Sequence, residues 1–256
     1  MNMGFFMQCS FKTAIAAIAF SSCLAAQAAP ALPWDAEAEL GILLTSGNTE
    51  SESFNGRVAG FYTIEQWKYS GDIEALTVAT SDADVPGSDV ITSTERYAAN
   101  AQIDRLLEDA HSLFIRGNYD DDRFSGFEYE TGLVVGYGRQ LINTDTNQLR
   151  LEIGPGYRVS EPEVGPTEDE AILATKVLFK HQFNPLASFE QSLEANIGEE
   201  RNISQSTTAL RAQFIERLAM KFAYNVRYNS DPATSDLGFL RRGTDRETTV
   251  SLVYSF

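Results

Sequence analysis

The residues that most often carry out catalysis are scarce in this chain. Its 256 residues include only two histidines, His111 and His181, and both stand at the ends of segments with an alternating hydrophobic pattern. A serine hydrolase needs a histidine within hydrogen-bond reach of its nucleophile, and neither histidine is placed for that. We therefore interpret both as interfacial polar residues and predict that the chain is not an enzyme.

Cysteines and carboxylates are the candidate metal ligands. Both cysteines, Cys9 and Cys23, precede residue 29, so the chain beyond that point has no thiolate ligand. Hard cations prefer carboxylate oxygen, and carboxylates cluster at residues 82–84, 120–122, 161–163 and 168–170. No cluster has the full spacing of a calcium-binding loop, so solvated loop surfaces are the interpretation that we favour. The sequence predicts no cofactor and no metal site.

The charge balance excludes one class of partner. The chain has 36 acidic and 20 basic residues, a formal net charge of −16 and an isoelectric point near 4.5. An acidic chain of this kind repels phosphate backbones, so we expect no binding to nucleic acid. A mean hydropathy of −0.22 is too polar for a helical membrane protein.

Residues 1–28 predict a signal peptide. Lys12 provides a short basic region, residues 13–20 are apolar but too few to span a bilayer, and residues 26–28 fit a cleavage site. We therefore expect export of the chain and one mature domain, residues 29–256. A membrane anchor and a lipoprotein acylated at Cys23 are the alternatives.

The rest of the chain repeats hydrophobic residues at every second position, which is the pattern of a β-strand with two different faces. In the segment 220–228 one face consists of Met220, Phe222, Tyr224, Val226 and Tyr228, with polar residues between them. About twelve such segments follow one another, most of them roughly 9–13 residues long, the length that a tilted strand needs to cross a bilayer.

The connections between these segments alternate in length, as outer-membrane barrels require. We place short turns near residues 65–66, 108–109, 143–146, 184–185 and 218–219, and longer, acidic loops near 46–51, 81–92, 120–126, 160–170, 199–204 and 230–244. The predicted fold is all-β, a transmembrane antiparallel up-and-down β-barrel of about twelve strands. A soluble periplasmic β-barrel, with the apolar face as its core, is the alternative.

The second face of the segments carries charges of both signs, and we predict that it lines the lumen. The candidates are Arg57, Arg96, Arg116, Glu130, Arg150, Glu152, Arg158, Lys176, Lys180, Glu190, Glu194, Arg211, Lys221 and Arg227. The mixture of signs predicts cross-strand ion pairs in a lumen much narrower than that of porins with 16–18 strands. A narrow diffusion channel for ions or small solutes and a closed structural barrel both fit this pattern.

The last segment ends on an aromatic residue, which is the signal that the outer-membrane insertion machinery reads. We assign this signal to Val250, Leu252, Tyr254 and Phe256. The expected location is the cell outer membrane. The expected partners are outer-membrane lipid, lipopolysaccharide and the assembly machinery, and the sequence does not indicate an oligomeric state.

The stretch 38–54, with Leu-Leu-Thr-Ser-Gly-Asn-Thr at residues 43–49, gives the chain a family resemblance. Together with the alternating segments and the aromatic C-terminus, it resembles the salt-induced outer-membrane proteins, a bacterial domain of unknown function numbered four hundred and eighty-one. The resemblance covers essentially the whole mature chain. It implies an outer-membrane location and a link to salt or osmotic stress, and no catalytic residues. The chain departs from the family near Ser251, where glycine is common.

The face assignment predicts which substitutions are tolerated. If Val226 faces lipid, Val226→Arg should destabilise the folded barrel by about 2–4 kcal/mol near the bilayer midplane and by less toward the interface. Arg227→Gln should leave folding nearly intact because Arg227 faces the lumen. The measurement is the gel mobility of unboiled and boiled outer-membrane fractions, since folded barrels run faster unboiled. Equal mobility of the boiled and unboiled wild type would contradict the barrel itself.

Overall fold

A computed structural model describes residues 33–46, 51–80, 91–122, 126–232 and 242–256. The predicted signal peptide and the acidic cluster at 82–84 lie outside the described residues. No helix in the described part of the chain is long and apolar enough to cross a membrane.

Twelve strands account for nearly all of the described residues. They are β1 (Trp34–Ser46), β2 (Ser51–Ile64), β3 (Trp67–Thr80), β4 (Ile91–Leu106), β5 (His111–Asp122), β6 (Phe127–Asn143), β7 (Asn147–Pro162), β8 (Glu168–Asn184), β9 (Ala187–Gly198), β10 (Ile203–Ile215), β11 (Leu218–Asn229) and β12 (Thr244–Ser255). One short 3₁₀ turn, Glu108–Ala110, lies between β4 and β5.

Each strand pairs antiparallel with its neighbours in the chain, and β1 pairs with β12 to close the barrel. The closing register runs from Glu37 opposite Ser255 to Ser46 opposite Arg246. The predicted fold, an up-and-down barrel of about twelve strands, is therefore confirmed. The strands are 12 to 17 residues long, and six of them exceed the 9–13 residues that the alternation predicted.

The connections alternate in length, and this defines two ends of the barrel. The end with the short connections, such as 65–66, 144–146 and 185–186, we call the turn end, and the opposite one the loop end. One short turn was predicted wrongly, because it lies at 216–217 and not at 218–219. Leu218 and Ala219 already belong to β11 and pair with β12, so the strand begins two residues before the segment taken from the sequence.

The apolar faces form the outside of the barrel. Leu40 and Phe54, for example, are 72% and 76% exposed. Phe222 and Tyr224 of β11 are also exposed and do not pack into a core. Val250, Leu252, Tyr254 and Phe256 of the predicted insertion signal are exposed as well, with the Tyr254 and Phe256 rings packed edge to face at a centroid distance of 5.0 Å.

The small apolar core lies on the inner side of the wall formed by β5 to β8. It consists of Phe114, Val134, Ile172 and Ala174. Phe114 is covered because Gly136 on the neighbouring strand has no side chain, so the ring lies over the β6 backbone. A Cβ at Gly136 would meet the ring atom Phe114 Cζ at 2.5 Å and the carbonyl oxygen of Ile153 at 2.6 Å.

This packing predicts that Gly136→Ala destabilises the barrel by about 1–3 kcal/mol, the usual effect of overpacking. Gly117→Ala on β5 is the matched control, because a Cβ there would have only the Gly132 carbonyl oxygen at 3.9 Å. The measurement is the temperature at which the fast-running folded band is lost. Equal temperatures for the two variants would show that the ring does not hold this position in the folded protein.

Candidate functional site

The candidate site is the lumen, and charged side chains reach it from all twelve strands or their ends. Each of the fourteen residues proposed from the sequence as lumen-facing makes at least one ion pair. Period-two alternation produces this lining, because residues that flank an exposed apolar side chain point to the other side of the sheet. The pairs fall into four groups.

The first group surrounds Glu39 on β1, near the seam where the first and last strands meet. Its carboxylate accepts hydrogen bonds from Arg57 Nη1 at 2.9 Å and from Lys221 Nζ at 2.8 Å. Ser251 Oγ of β12 donates a third at 3.3 Å. Glu39 is only 6% exposed, so three donors from three strands compensate for the cost of burying its charge. Arg211 Nη1 contacts the nearby Glu37 carboxylate at 2.7 Å.

The second group joins β4, β5 and β7 across the glycine-rich face of β6. Arg150 donates to Asp104 at 2.6 Å and to Glu152 at 2.7 Å. Arg116 and Gln102 contact the same Glu152 at 3.0 Å and 3.1 Å. A Cβ at Gly138 would lie 2.8 Å from Arg150 Nη2. Because glycine has no side chain, Arg150 can extend across β6.

The third group crosses the lumen near the loop end. Arg227 of β11 donates to Glu130 of β6 at 2.6 Å and to Asp120 of β5 at 3.4 Å. Arg96 of β4 donates to the same Asp120 at 3.3 Å and to Glu247 of β12 at 3.0 Å. The two Arg227 contacts and the Arg96–Glu247 contact connect strands that are not neighbours in the sheet. The acidic cluster at 120–122 was therefore assigned wrongly to a solvated loop, because Asp120 lies on β5 and pairs inside the barrel.

Sequence reasoning missed one member of this region, Arg201 in the loop 199–202. Its Nη2 donates to Glu130 at 2.5 Å and to Ser160 Oγ at 2.6 Å, and its guanidinium lies 4.1 Å from the centre of the Phe127 ring. Arg201 is 3% exposed. It lies in a connection with no alternation, so no sequence signal assigned it to an inner face. Its backbone carbonyl also accepts a hydrogen bond from Arg158, which pairs with Glu170.

The fourth group is local and more exposed. Lys176 pairs with Glu194 at 2.7 Å, and Lys180 pairs with Glu190 at 2.8 Å, in both cases between the neighbouring strands β8 and β9. The side chains of Lys180 and Glu190 are 48% and 44% exposed. Exposed pairs of this kind contribute little to stability.

The two histidines lie near the turn end and apart from these groups. His111 begins β5 and hydrogen-bonds the Tyr137 hydroxyl, whereas His181 Nδ1 lies 2.8 Å from Asn147 Oδ1. Among the described residues no group of three or more histidine, cysteine, aspartate or glutamate side chains is arranged to hold a metal ion. The arrangement pairs carboxylates with guanidinium and ammonium groups on the inner side of the barrel.

The comparison with known families covers nearly the whole barrel. Residues 38–256 match the family described as "Protein of unknown function, DUF481". The chain belongs to this family. The resemblance drawn from residues 38–54 is thereby confirmed. A relative in the family, the "Uncharacterized protein YdiY" of Escherichia coli (strain K12), is 30% identical to this DUF481 protein over 223 residues, which cover 87% of this chain and 83% of the relative.

Solved structures share the barrel fold at low sequence identity. The NanC porin has a TM-score of 0.55 and 8% identity, with 85% of the DUF481 chain and 98% of the porin covered. The KdgM porin, solved in complex with disordered oligogalacturonate, has a TM-score of 0.46 and 10% identity, with 86% and 99% covered. The likeness of the DUF481 protein to NanC is one of fold.

The geometry around Glu39 predicts a position that is sensitive to charge removal. Glu39→Gln should destabilise the DUF481 barrel by about 3 kcal/mol, because breaking a buried pair leaves its cations without compensation. Glu190→Gln, in the half-exposed Lys180–Glu190 pair, should change stability by less than about 1 kcal/mol. Denaturant titration followed by tryptophan fluorescence measures both. Equal midpoints for the two variants would contradict the role given to the β1 seam.

Proposed function

We propose that the protein is an integral outer-membrane β-barrel without catalytic activity, whose lumen is a narrow passage for ions and small polar solutes. The observation that carries the proposal is the separation of its two surfaces. Large apolar side chains such as Leu40 and Phe54 are exposed outside, and ion-paired side chains fill the inside.

The exposed outer wall supports a membrane location over a soluble periplasmic barrel. A soluble fold would leave Phe222, Tyr224 and the rest of this wall in water and place its charges in the interior, the reverse of the usual arrangement. In a bilayer the same wall contacts hydrocarbon, and the closed sheet leaves no unpaired strand edge. The exposed Tyr254 and Phe256 at the end of β12 are positioned for recognition by the assembly machinery.

The polar lumen supports a passage over a purely structural barrel. Replacing ion pairs with apolar residues of similar size is often neutral or stabilising, so a barrel that served only as a scaffold would gain nothing from an interior of paired charges. Such an interior admits water and ions when its pairs rearrange. The family resemblance extends the proposal to a role under salt or osmotic stress. Growth of a deletion strain in high-salt medium tests that part separately.

The proposal predicts discrete conductance steps for the purified, refolded protein in planar lipid bilayers. Heat-dependent gel mobility confirms that the sample is folded, and protease protection of vesicles confirms insertion. A bilayer that stays silent although insertion is established would contradict the passage. Recovery of the mature protein in the soluble periplasmic fraction would contradict the membrane location.

A further inference from the structure

The ion pairs near the loop end span the barrel from wall to wall. In the closed ring of strands, β5 and β11 lie six positions apart in either direction, so they are opposite each other. Twelve strands about 4.8 Å apart and tilted by about 40° would enclose a round barrel roughly 24 Å across. That width exceeds the combined reach of one arginine and one aspartate, yet Arg227 and Asp120 meet at 3.4 Å. The barrel is therefore flattened at this level.

The contacts form a continuous chain of alternating charges, which we call the cross-lumen bar. It runs from Glu247 through Arg96, Asp120, Arg227 and Glu130 to Arg201, with successive nitrogen–oxygen distances of 3.0, 3.3, 3.4, 2.6 and 2.5 Å. The bar joins β12, β4, β5, β11 and β6 to the loop 199–202.

The composition of the bar decides how it would act on a passing ion. Its six members are three arginines and three carboxylates, and Asp122 places a fourth carboxylate 3.9 Å from Arg96, so either sign of ion meets both attraction and repulsion. Neutralising one member changes the net charge of the bar by one unit in a space of low dielectric constant, where a single charge acts strongly. Without Arg227, Asp120 keeps only Arg96 and Glu130 keeps only Arg201, so the bar becomes more negative. Without Asp120, Arg96 keeps Glu247 and Arg227 keeps Glu130, so the bar becomes more positive.

We infer that the cross-lumen bar is the constriction of the proposed channel, and that its charges of both signs determine which sign of ion passes. This inference rests on the proposed function. Rings of charged side chains set selectivity in ion channels by the same physics. The constriction lies near the loop end, and the exposed pair of Lys180 and Glu190 lies outside it.

Conductance and reversal potential in an asymmetric KCl gradient test the inference. Arg227→Gln should raise the single-channel conductance about twofold or more and shift the reversal potential toward that of K⁺. Asp120→Asn should also raise the conductance but shift the reversal potential in the opposite direction, toward that of Cl⁻. The double variant with both changes should keep the higher conductance and return to the reversal potential of the wild type. A merely structural role would not produce this dependence on sign.

Two further variants complete the design. Arg105→Gln, on the outer face of β4 over the Trp67 ring, is the matched control and should behave as the wild type does. Arg227→Lys keeps the charge and should keep the wild-type reversal potential. Heat-dependent gel mobility shows which variants fold. If Arg227→Gln does not fold, Asp120→Asn tests the inference alone through its shift toward Cl⁻.

The possible results distinguish a failure of this inference from a failure of the proposed function. If the wild type and all folded variants are silent after insertion, the proposed passage is wrong. If the wild type conducts and the bar variants match both it and Arg105→Gln, the passage stands and the constriction lies elsewhere. Shifts of the same sign for Arg227→Gln and Asp120→Asn would likewise overturn the assignment of selectivity to the bar.

Discussion

The pairing of β1 with β12 is the interaction on which the rest of this structure depends. A strand edge has backbone N–H and C=O groups that need partners, and hydrocarbon provides none. The register from Glu37–Ser255 to Ser46–Arg246 supplies those partners and removes both edges at once. Closure then fixes an inside and an outside, so the two faces of every strand meet two different solvents. The buried carboxylate of Glu39 reinforces this seam, since its donors come from β2, β11 and β12.

The charged interior follows from closure together with the number of strands. A lumen of this size is too small to hydrate every charge as bulk water does, and an unpaired buried charge is costly. Carboxylates are accordingly shared, as Glu152 is between Arg150 and Arg116 and Glu130 is between Arg227 and Arg201. A carboxylate that accepts hydrogen bonds from two arginines compensates both cations. It also connects strands that have no backbone contact with each other. The glycines of β6 leave space above the sheet, and long side chains from the neighbouring strands extend across it.

Most of the fold could be predicted from the sequence, because the alternation of apolar and polar residues in a barrel strand shows which side chains face outward and which face the lumen. The twelve strands, the exposed Phe222 and Tyr224, and the family all agree with that pattern. The interior partners could not be predicted, since a period of two tells which way a side chain points and not which residue it meets. The ends of strands were also uncertain. Asp120 was taken for a loop residue because β5 continues to Asp122, past the predicted start of the loop, and Arg201 was missed because its connection has no alternation.

The distance along the chain between partners in the cross-lumen bar has a consequence for how the molecule is built. Arg227 and Asp120 are 107 residues apart, and Arg96 and Glu247 are 151 apart. Contacts of such long range form late, because the loops that they close carry a large entropic cost. The seam is longer in range still, because Ser251 and Glu39 are 212 residues apart. We therefore expect the seam and the bar to form together at the end of folding, since neither has all of its partners in place until the last strands reach the first.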